Sequence, residues 1–305
     1  MEGFKVSMTT NSKNKKSQES SRAVGLDIAL RVVSFVTGKE HLHYGYWKGL
    51  DVNLENLGKA QEAYTQYLFK YLPRQKTNKK LRILDIGGGS GQIAKYLIDL
   101  GHQVTIVIPS CILAERAEKN TKGKAKIHPI TFEEYTPKKN IKFDLCLYAE
   151  SFQYIPVEIA LQKAIHLLSE DGEILIADCF RSAQKHTGIF RKPGGGPSLA
   201  SMESEIKRQQ LEIITEEEIT KDVAPSIELE QQFYNIIGFS INRLIRSLKT
   251  TRPMSLRFLG ILYKLLLSKR RRLRLENRLF ENTRSKDLFL KYNHYMIFKL
   301  KPLQK

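Results

Sequence analysis

Residues 81–179 alternate between short apolar runs and stretches in which apolar residues recur at helical spacing. The apolar runs cover 81–86, 103–108, 125–130, 143–149 and 173–179, and the helical stretches cover 92–100, 112–119 and 156–168. This alternation is typical of a parallel sheet covered by helices on both faces. With further strands at 212–217 and 290–300, it predicts an α/β fold with a mostly parallel sheet of seven strands.

Basic charge is concentrated near the end of the chain. The 305 residues include 50 Lys and Arg against 32 Asp and Glu, a net charge of +18. Residues 241–305 hold 18 basic and 3 acidic residues, whereas the residues before them hold 32 and 29. This excess points to an anionic partner, which leaves a membrane surface, a nucleic acid and an acidic substrate open.

The termini and the cysteines give a second set of expectations. The three cysteines lack the spacing of a zinc site or a disulfide framework, so we expect a reducing compartment and no metal. Residues 1–22 are polar, lack the apolar segment of a signal peptide and are predicted to be a disordered tail. The apolar run 258–267 is about half of the roughly 20 residues that span a bilayer. We therefore expect a cytoplasmic protein, with peripheral membrane attachment left open.

A glycine-rich turn directly follows the first apolar run. Residues 83–91 read Ile-Leu-Asp-Ile-Gly-Gly-Gly-Ser-Gly, with Asp85 two positions ahead of Gly87. Glycines let the backbone approach a ligand closely, while the first N–H groups of the next helix face the crevice at the end of the strand. A dinucleotide fingerprint would place its third glycine three positions after the second, but Gly89 and Gly91 are two apart. The turn predicts a nucleotide-like cofactor.

This D-x-G-x-G-x-G segment resembles the first motif of class I S-adenosylmethionine-dependent methyltransferases. Residues 143–156 resemble the family's fourth-strand segment, and residues 167–175 resemble its turn into the fifth strand. Three such segments in the right order are far more specific than one glycine run. The resemblance extends over about residues 40–300, and it implies a Rossmann-like class I methyltransferase fold with S-adenosylmethionine as the cofactor.

The resemblance also implies which residues bind the cofactor. Its methionine part would lie against the first motif, at Asp85, Gly87, Gly88, Gly89 and Gly91. The adenine would pack on the loop after the third strand, at Thr131, Phe132 and Glu133. Glu150 and Ser151, which end the fourth strand, would lie beneath the sulfonium and the substrate. For Phe132 and Ser151, ordinary packing is an equally good explanation.

One position departs from the family pattern. The family's second strand normally ends in Asp or Glu, which accepts hydrogen bonds from both ribose hydroxyls, but the matching residue here is Ile108. Ser110, a backbone carbonyl or water would then replace the carboxylate, or cofactor affinity would be reduced. A catalytically inactive binding protein on this fold is therefore one alternative.

An aromatic loop precedes the core. Residues 43–47, His-Tyr-Gly-Tyr-Trp, resemble a segment of the small-molecule branch that includes the tocopherol, sterol and cyclopropane-fatty-acid methyltransferases. In that branch the loop lies over cofactor and substrate, which makes Tyr44 and Tyr46 candidates; a hydrophobic plug is the alternative. The branch implies a small, lipophilic acceptor. RNA or DNA methylation is the other alternative, although residues 150–153 lack a nucleic-acid target motif.

The acceptor chemistry decides which side chains would act. For a hydroxyl or an aromatic carbon a base is useful, and the candidates are Glu150, His43 and His294. For an alkene, aromatic rings would stabilise the transient cation, and the candidates are Tyr44, Tyr46 and Tyr154. Of these, Glu150, Tyr44 and His43 are the predicted catalytic residues.

The basic region is predicted to form a helical insertion. We expect N-terminal helices and the aromatic loop over 23–77, a cofactor-binding core over 78–223, a basic helical cap over 224–288, and a closing strand with a tail over 289–305. Residues 255–280 combine an apolar half with a cationic half, as in a helix that lies on an anionic membrane. One alternative is that the apolar half caps the active site as part of the core and the basic half is a solvated face. Another is that 269–274 contacts the phosphate backbone of RNA or DNA.

Overall fold

The computed structural model describes residues 21–73, 80–138, 141–184 and 193–303. The predicted disordered tail lies outside these ranges except for Ser21 and Arg22, which begin the first helix. The first half of the chain forms α1 (Ser21–Thr37), α2 (Leu57–Phe69), β1 (Arg82–Ile86), α3 (Gln92–Asp99), β2 (Gln103–Val107), α4 (Cys111–Thr121), β3 (Lys126–His128) and β4 (Phe143–Ala149).

The second half begins with a short 3-10 turn at Phe152–Tyr154. It continues with α5 (Val157–Leu167), β5 (Leu168–Arg181), α6 (Leu199–Arg208), β6 (Leu211–Glu218), α7 (Thr220–Val223), α8 (Pro225–Thr251), α9 (Pro253–Leu266), α10 (Lys269–Phe280), α11 (Lys286–Tyr292) and β7 (Asn293–Pro302).

The strands form one seven-stranded sheet in the order β3-β2-β1-β4-β5-β7-β6. Strands β1 to β5 pair in parallel, and β7 lies antiparallel between β5 and β6. The prediction of a mostly parallel sheet of seven strands is confirmed. In this order the chain moves outward from β1 in both directions, which creates a crevice at the carboxyl ends of the central strands.

The core lies on both faces of this sheet. Ile83 and Leu145 belong to one buried cluster, whereas Leu84 and Cys146 belong to the cluster on the other face. Successive side chains of a strand point to opposite faces, so the continuous apolar runs predicted from sequence supply both layers. Burial of each large aliphatic side chain stabilises the fold by about 1.5–3 kcal/mol.

Two predictions about the last third of the chain are wrong in detail. The closing strand was expected from residue 290, but residues 290–292 end α11, which Ser285 caps by accepting a hydrogen bond from the Leu288 N–H. Phe289 and Tyr292, three residues apart, are both buried on this short helix. The segment 255–280 is not one helix, because extended backbone at Leu267 and Ser268 separates α9 from α10.

A long helical projection leaves the core along α8. Its early residues are buried, and Gly238 is the last of them, at the point where α8 crosses Leu279 near the end of α10. None of residues 239–278, which we call the arm, is buried. Across the described ranges, each helix is too short or too polar to cross a membrane.

Candidate functional site

A cavity of about 530 Å³ opens at the carboxyl ends of the central strands, in the size range of small-molecule sites. It brings together most of the predicted site residues: His43, Asp85, Gly87, Gly88, Gly89, Ser110, Thr131, Phe132, Glu133, Glu150 and Ser151. Gly91, Tyr44 and Tyr46 lie outside its lining. The cavity therefore collects residues from β1, β2 and β4 and from the loop after β3.

The glycine turn forms one wall of the cavity. Gly87 has a φ of +76° and donates its N–H to the Val107 carbonyl at 2.8 Å. A Cβ at this position would collide with Ser151, whose hydroxyl donates to the Ile86 carbonyl. Gly91 serves packing instead, since its Cβ would lie 2.8 Å from the Ala117 Cα where α3 meets α4.

Asp85 lies beneath this turn. Its side chain is almost fully buried, and burial raises the pKa of its carboxyl to about 7. A Cβ on Gly88 would lie 2.5 Å from Asp85 Oδ2, and this oxygen has no hydrogen-bond partner among the described residues. A buried polar atom without a partner costs about 1–3 kcal/mol. The open oxygen and the glycine cradle fit a ligand that donates hydrogen bonds here.

The cavity wall that is predicted to face the nucleoside contains both apolar and polar side chains. Phe132 is buried, and its ring packs edge-on against Tyr148 with 5.9 Å between centroids. Thr131 donates its hydroxyl to Glu134 at 3.1 Å. Ser110 caps α4, because its hydroxyl oxygen accepts the Leu113 N–H at 3.3 Å. Nearby Ile108 is buried and lines the cavity, so the residue that departs from the family pattern lies inside the site.

Glu150 ends β4 in an unusual conformation. Its φ is +57°, which costs a non-glycine residue about 1–3 kcal/mol and points to a constraint beyond packing. Its N–H donates to the Ala177 carbonyl at 2.9 Å. Oε1 accepts the Tyr44 N–H at 2.8 Å and the Tyr295 hydroxyl at 2.9 Å. Burial raises the pKa of Glu150 to about 8, although both hydrogen bonds lower it.

A polar cluster behind Glu150 was missed by sequence reasoning. The hydroxyls of Tyr295 and Tyr64 are 2.8 Å apart, which joins β7 to α2. Asp178 of β5 is fully buried and accepts hydrogen bonds from the Gln153 N–H and side-chain amide, both at 3.0 Å. Burial raises its pKa to about 7. An Asp inside the apolar run 173–179 was the one sequence signal for this cluster.

The aromatic loop lies beside this cluster. The Tyr44 hydroxyl accepts a hydrogen bond from Arg284 at 3.3 Å. Tyr46 stacks on Tyr67 with 4.2 Å between ring centroids, which resembles the predicted plug more than a cofactor contact. Trp47 donates its indole N–H to the Ser226 hydroxyl at 2.8 Å. The loop thus joins α2 to the start of α8.

The histidines differ in their suitability as bases. His43 lines the cavity, but its ring nitrogens lie 2.8 Å from the Tyr44 carbonyl and 3.2 Å from the Thr65 hydroxyl. Burial lowers the pKa of His43 to about 3, so its ring is neutral and a weak base at pH 7. His294 is partly exposed and bonds to Glu218 at 3.0 Å, outside the cavity lining. Glu150 is the better placed of the predicted bases.

His41 also lines the cavity and was not predicted. Its side chain is 1% exposed, and neither ring nitrogen has a hydrogen-bond partner in the described part of the chain. Burial lowers its pKa to about 4, which keeps the ring neutral. No pattern in the sequence distinguishes His41 as a site residue, because histidines in loops are common.

Comparison with known proteins agrees with this geometry. Residues 84–176, from β1 to β5, match the family model described as a methyltransferase domain. The core of this chain is a class I methyltransferase domain. The family match confirms the prediction of a methyltransferase with S-adenosylmethionine as cofactor. Among curated protein sequences, none matches the chain.

Solved structures share the fold of this methyltransferase domain. The cyclopropane synthase MmaA2 from Mycobacterium tuberculosis has a TM-score of 0.64 at 14% identity, over 93% of this chain and 99% of that one. Geranyl diphosphate C-methyltransferase from Streptomyces coelicolor A3(2) has a TM-score of 0.59 at 13% identity, over 94% and 100%. The (4+2)-cyclase SpnF has a TM-score of 0.62 at 15% identity, over 93% and 96%. These likenesses confirm the predicted class I fold.

Proposed function

We propose that this methyltransferase transfers a methyl group from S-adenosylmethionine to a small, lipophilic acceptor. The observation that carries the proposal is the cavity that holds the glycine turn, the open oxygen of Asp85 and the carboxyl of Glu150 together. Names of two similar structures, a cyclopropane synthase and a geranyl diphosphate methyltransferase, support a lipophilic acceptor by analogy.

In this proposal Asp85 and the turn Gly87–Gly88–Gly89 hold the methionine part of the cofactor. Asp85 Oδ2, which has no hydrogen-bond partner among the described residues, accepts hydrogen bonds from it, directly or through water. Gly87 and Gly88 lack the Cβ atoms that would collide with Ser151 and Asp85, so the turn can lie close against the strand ends. The cofactor supplies an electrophilic methyl group. Most of the acceleration then comes from holding acceptor and methyl group in line, which requires a rigid wall rather than a protein nucleophile.

Glu150 is proposed to face the acceptor and to receive its proton. Both hydrogen bonds of its carboxyl group fall on Oε1, so Oε2 is without one among the described residues. The raised pKa of about 8 leaves this carboxyl mostly protonated at pH 7, so the ionised fraction that acts as the base, which is a stronger base than a solvated glutamate, grows as pH rises toward 8. Tyr44 and Tyr295 would hold the carboxyl in position, whereas His43 orients the loop and does not take the proton.

The lining of the cavity supports a lipophilic acceptor. Apolar side chains form much of the wall. They come from α1 and α3 and from the residues next to the aromatic loop and the 3-10 turn: Leu26, Ile93, Leu42 and Ile155. Such walls favour acceptors that lose little hydration on entry. A cytoplasmic location at a membrane surface belongs to the same proposal, since Cys111, Cys146 and Cys179 are free thiols.

Two experiments test the proposal in sequence. Calorimetric titration with S-adenosylhomocysteine should show binding, and no heat at millimolar ligand would contradict it. Incubation with methyl-labelled S-adenosylmethionine and a cell extract should then place label in the organic phase. Glu150→Gln should still bind S-adenosylhomocysteine but transfer little label. Label in the nucleic-acid fraction alone would instead support RNA or DNA methylation.

Ile108 favours one competing function, an inactive binding protein. Its side chain offers no acceptor for ribose hydroxyls, and it lies in the cavity wall. The similar structure named as a cyclase indicates that this fold is not restricted to methyl transfer. Binding of S-adenosylhomocysteine without any labelled product, from aqueous and organic extracts alike, would support that function.

A further inference from the structure

The arm has apolar side chains that the rest of the described chain does not cover. On α9 none of the 14 residues is buried. The most exposed apolar side chains of this helix include Met254, Phe258, Ile261 and Leu265, at 72%, 66%, 58% and 77% exposure. Their spacing of four, three and four residues places them on one face of the helix, which we call the apolar face. A contiguous apolar face of this kind marks an interaction site.

The cations of the arm border this face. The arm has twelve Lys and Arg residues and one acidic residue, Glu276. Arg257 and Lys264 are seven residues apart and therefore share one side of α9, adjacent to the apolar face. Four more cations, residues 269–272, begin α10. This charge complements an anionic surface and opposes docking of a second copy, which would bring the same charges into contact.

We propose that the arm binds an anionic lipid bilayer, with the apolar face of α9 inserted among the headgroups and its cations against lipid phosphates. Interfacial helices combine an apolar face with Lys and Arg in this way, and each cation near the anionic surface strengthens binding. Nucleic acid would engage the cations but would leave Phe258 and Leu265 in water. This proposal goes beyond methyl transfer and does not depend on it.

The base of the arm is tied to the candidate site. The Gln231 side-chain amide donates to the Arg278 carbonyl at 2.9 Å, and its oxygen accepts the Arg284 N–H at 2.8 Å. Arg284 also donates to the Tyr44 hydroxyl and pairs with Glu230 at 2.7 Å. The bilayer contact is therefore connected, through two residues, to the loop that bonds to Glu150. A protein bound to the bilayer in this way would meet a lipophilic acceptor that is dissolved in the same membrane.

Co-sedimentation with phosphatidylcholine vesicles, with and without phosphatidylglycerol, tests the charge requirement. The full chain should sediment with the anionic vesicles and release as salt is raised. A charge variant carries Lys269→Gln, Arg270→Gln, Arg271→Gln and Arg272→Gln. A matched control carries Lys119→Gln, Lys122→Gln, Lys124→Gln and Lys126→Gln, which remove the same charge from exposed positions elsewhere. The charge variant should bind at least about tenfold more weakly, and the control should bind as the unaltered chain does.

Insertion of the apolar face is tested by fluorescence. Trp47 is the single tryptophan of the chain and is buried, so its emission should not change with vesicles. In the Phe258→Trp variant, emission should shift to shorter wavelength with anionic vesicles. Phe258→Ser combined with Leu265→Ser should weaken vesicle binding several-fold while circular dichroism stays unchanged.

Three results would overturn the proposal. One is equal sedimentation of the charge variant and the matched control. Another is no emission shift at Phe258→Trp together with full displacement from vesicles by duplex RNA. The last is a dimer, seen by analytical ultracentrifugation, that Phe258→Ser with Leu265→Ser dissociates, since the apolar face would then be covered by a second copy. None of these measurements uses cofactor or acceptor, so methyl transfer is tested separately.

Discussion

The cavity wall and the arm use charged and apolar residues in opposite ways. In the core, apolar strands are buried, two carboxyls, Asp85 and Asp178, are buried with them, and the carboxyl of Glu150 is partly buried. In the arm, none of residues 239–278 is buried, and twelve cations lie beside exposed apolar side chains. Burial stabilises the first region and creates its unusual pKa values. The second region depends on helix formation and a few helix contacts, so its apolar face is available for a partner.

The largest expected effect on ligand binding concerns the glycine turn. Gly87→Ala adds a Cβ that collides with Ser151 at a φ of +76°, and it should weaken S-adenosylhomocysteine binding by at least about 100-fold, or about 2.7 kcal/mol. Gly49→Ala is the control, because Gly49 has a φ of +77° but open space around its Cβ. Calorimetric titration measures both. If the two variants bind equally well, the cradle is not the cofactor site.

A second prediction compares one leucine in each region. Leu84 is fully buried, and Leu84→Ala should lower the free energy of unfolding by about 2–5 kcal/mol. Leu265 is 77% exposed, and Leu265→Ala should change it by no more than about 0.5 kcal/mol. Urea unfolding followed by circular dichroism measures both values. A large loss at Leu265 would mean that the arm is packed in solution.

The third prediction concerns pH. In the unfolded chain Glu150 loses its proton near pH 4.5, but in the folded protein it keeps the proton up to a pKa of about 8. The folded state therefore binds more protons between these values, and the free energy of unfolding should fall as pH rises through this window. One such group contributes up to about 1.4 kcal/mol per pH unit. Asp85 and Asp178 act in the same direction up to about pH 7.

Glu150→Gln should make this slope shallower, and it keeps a side-chain oxygen for the Tyr44 N–H. Urea unfolding without ligand at several pH values between 5 and 8 provides the measurement. The exposed Glu115 offers a control, since Glu115→Gln should leave the slope unchanged. An identical slope in Glu150→Gln would show that Glu150 is not protonated in the folded state.

The smallest predicted effect is at His41. Because its ring nitrogens have no partners in the described ranges, His41→Phe should not lower the free energy of unfolding. If a nitrogen bonds to the ligand, S-adenosylhomocysteine affinity should fall about fivefold, equivalent to about 1 kcal/mol. His166→Phe, at an exposed position of α5, controls for the added ring. Unchanged affinity would remove His41 from the ligand contacts.

The elements that the sequence predicted well are local. Apolar runs in β1 and β4, with glycines directly after β1, determine strand and turn within a few residues. These patterns predicted Asp85 and Glu150 at the ends of strands, and both residues line the cavity. The break at Leu267 and Ser268 was not predictable in this way, because the apolar and basic residues around it suit a continuous helix.

The rest of the site depends on contacts between distant parts of the chain. Tyr64 and Tyr295 are 231 positions apart and meet only because β7 lies beside β5. Tyr46 was predicted to touch the cofactor, but the position of α2 turns its ring toward Tyr67. No local pattern encodes such distances, so the partners of Glu150 could not be predicted from the motif that identified it.

The crossing of Gly238 and Leu279 has a mechanical consequence. The arm joins the rest of the protein where α8 and α10 approach closely, because Gly238 has no side chain to separate it from the Leu279 carbonyl. The arm would therefore tilt about this contact. The 13 residues of α8 that follow Gly238 span roughly 20 Å at 1.5 Å per residue, so a tilt of about 10° would move the end of α8 by about 3 Å. A bulkier residue at 238 would change the direction of the arm while leaving the crevice at the strand ends intact.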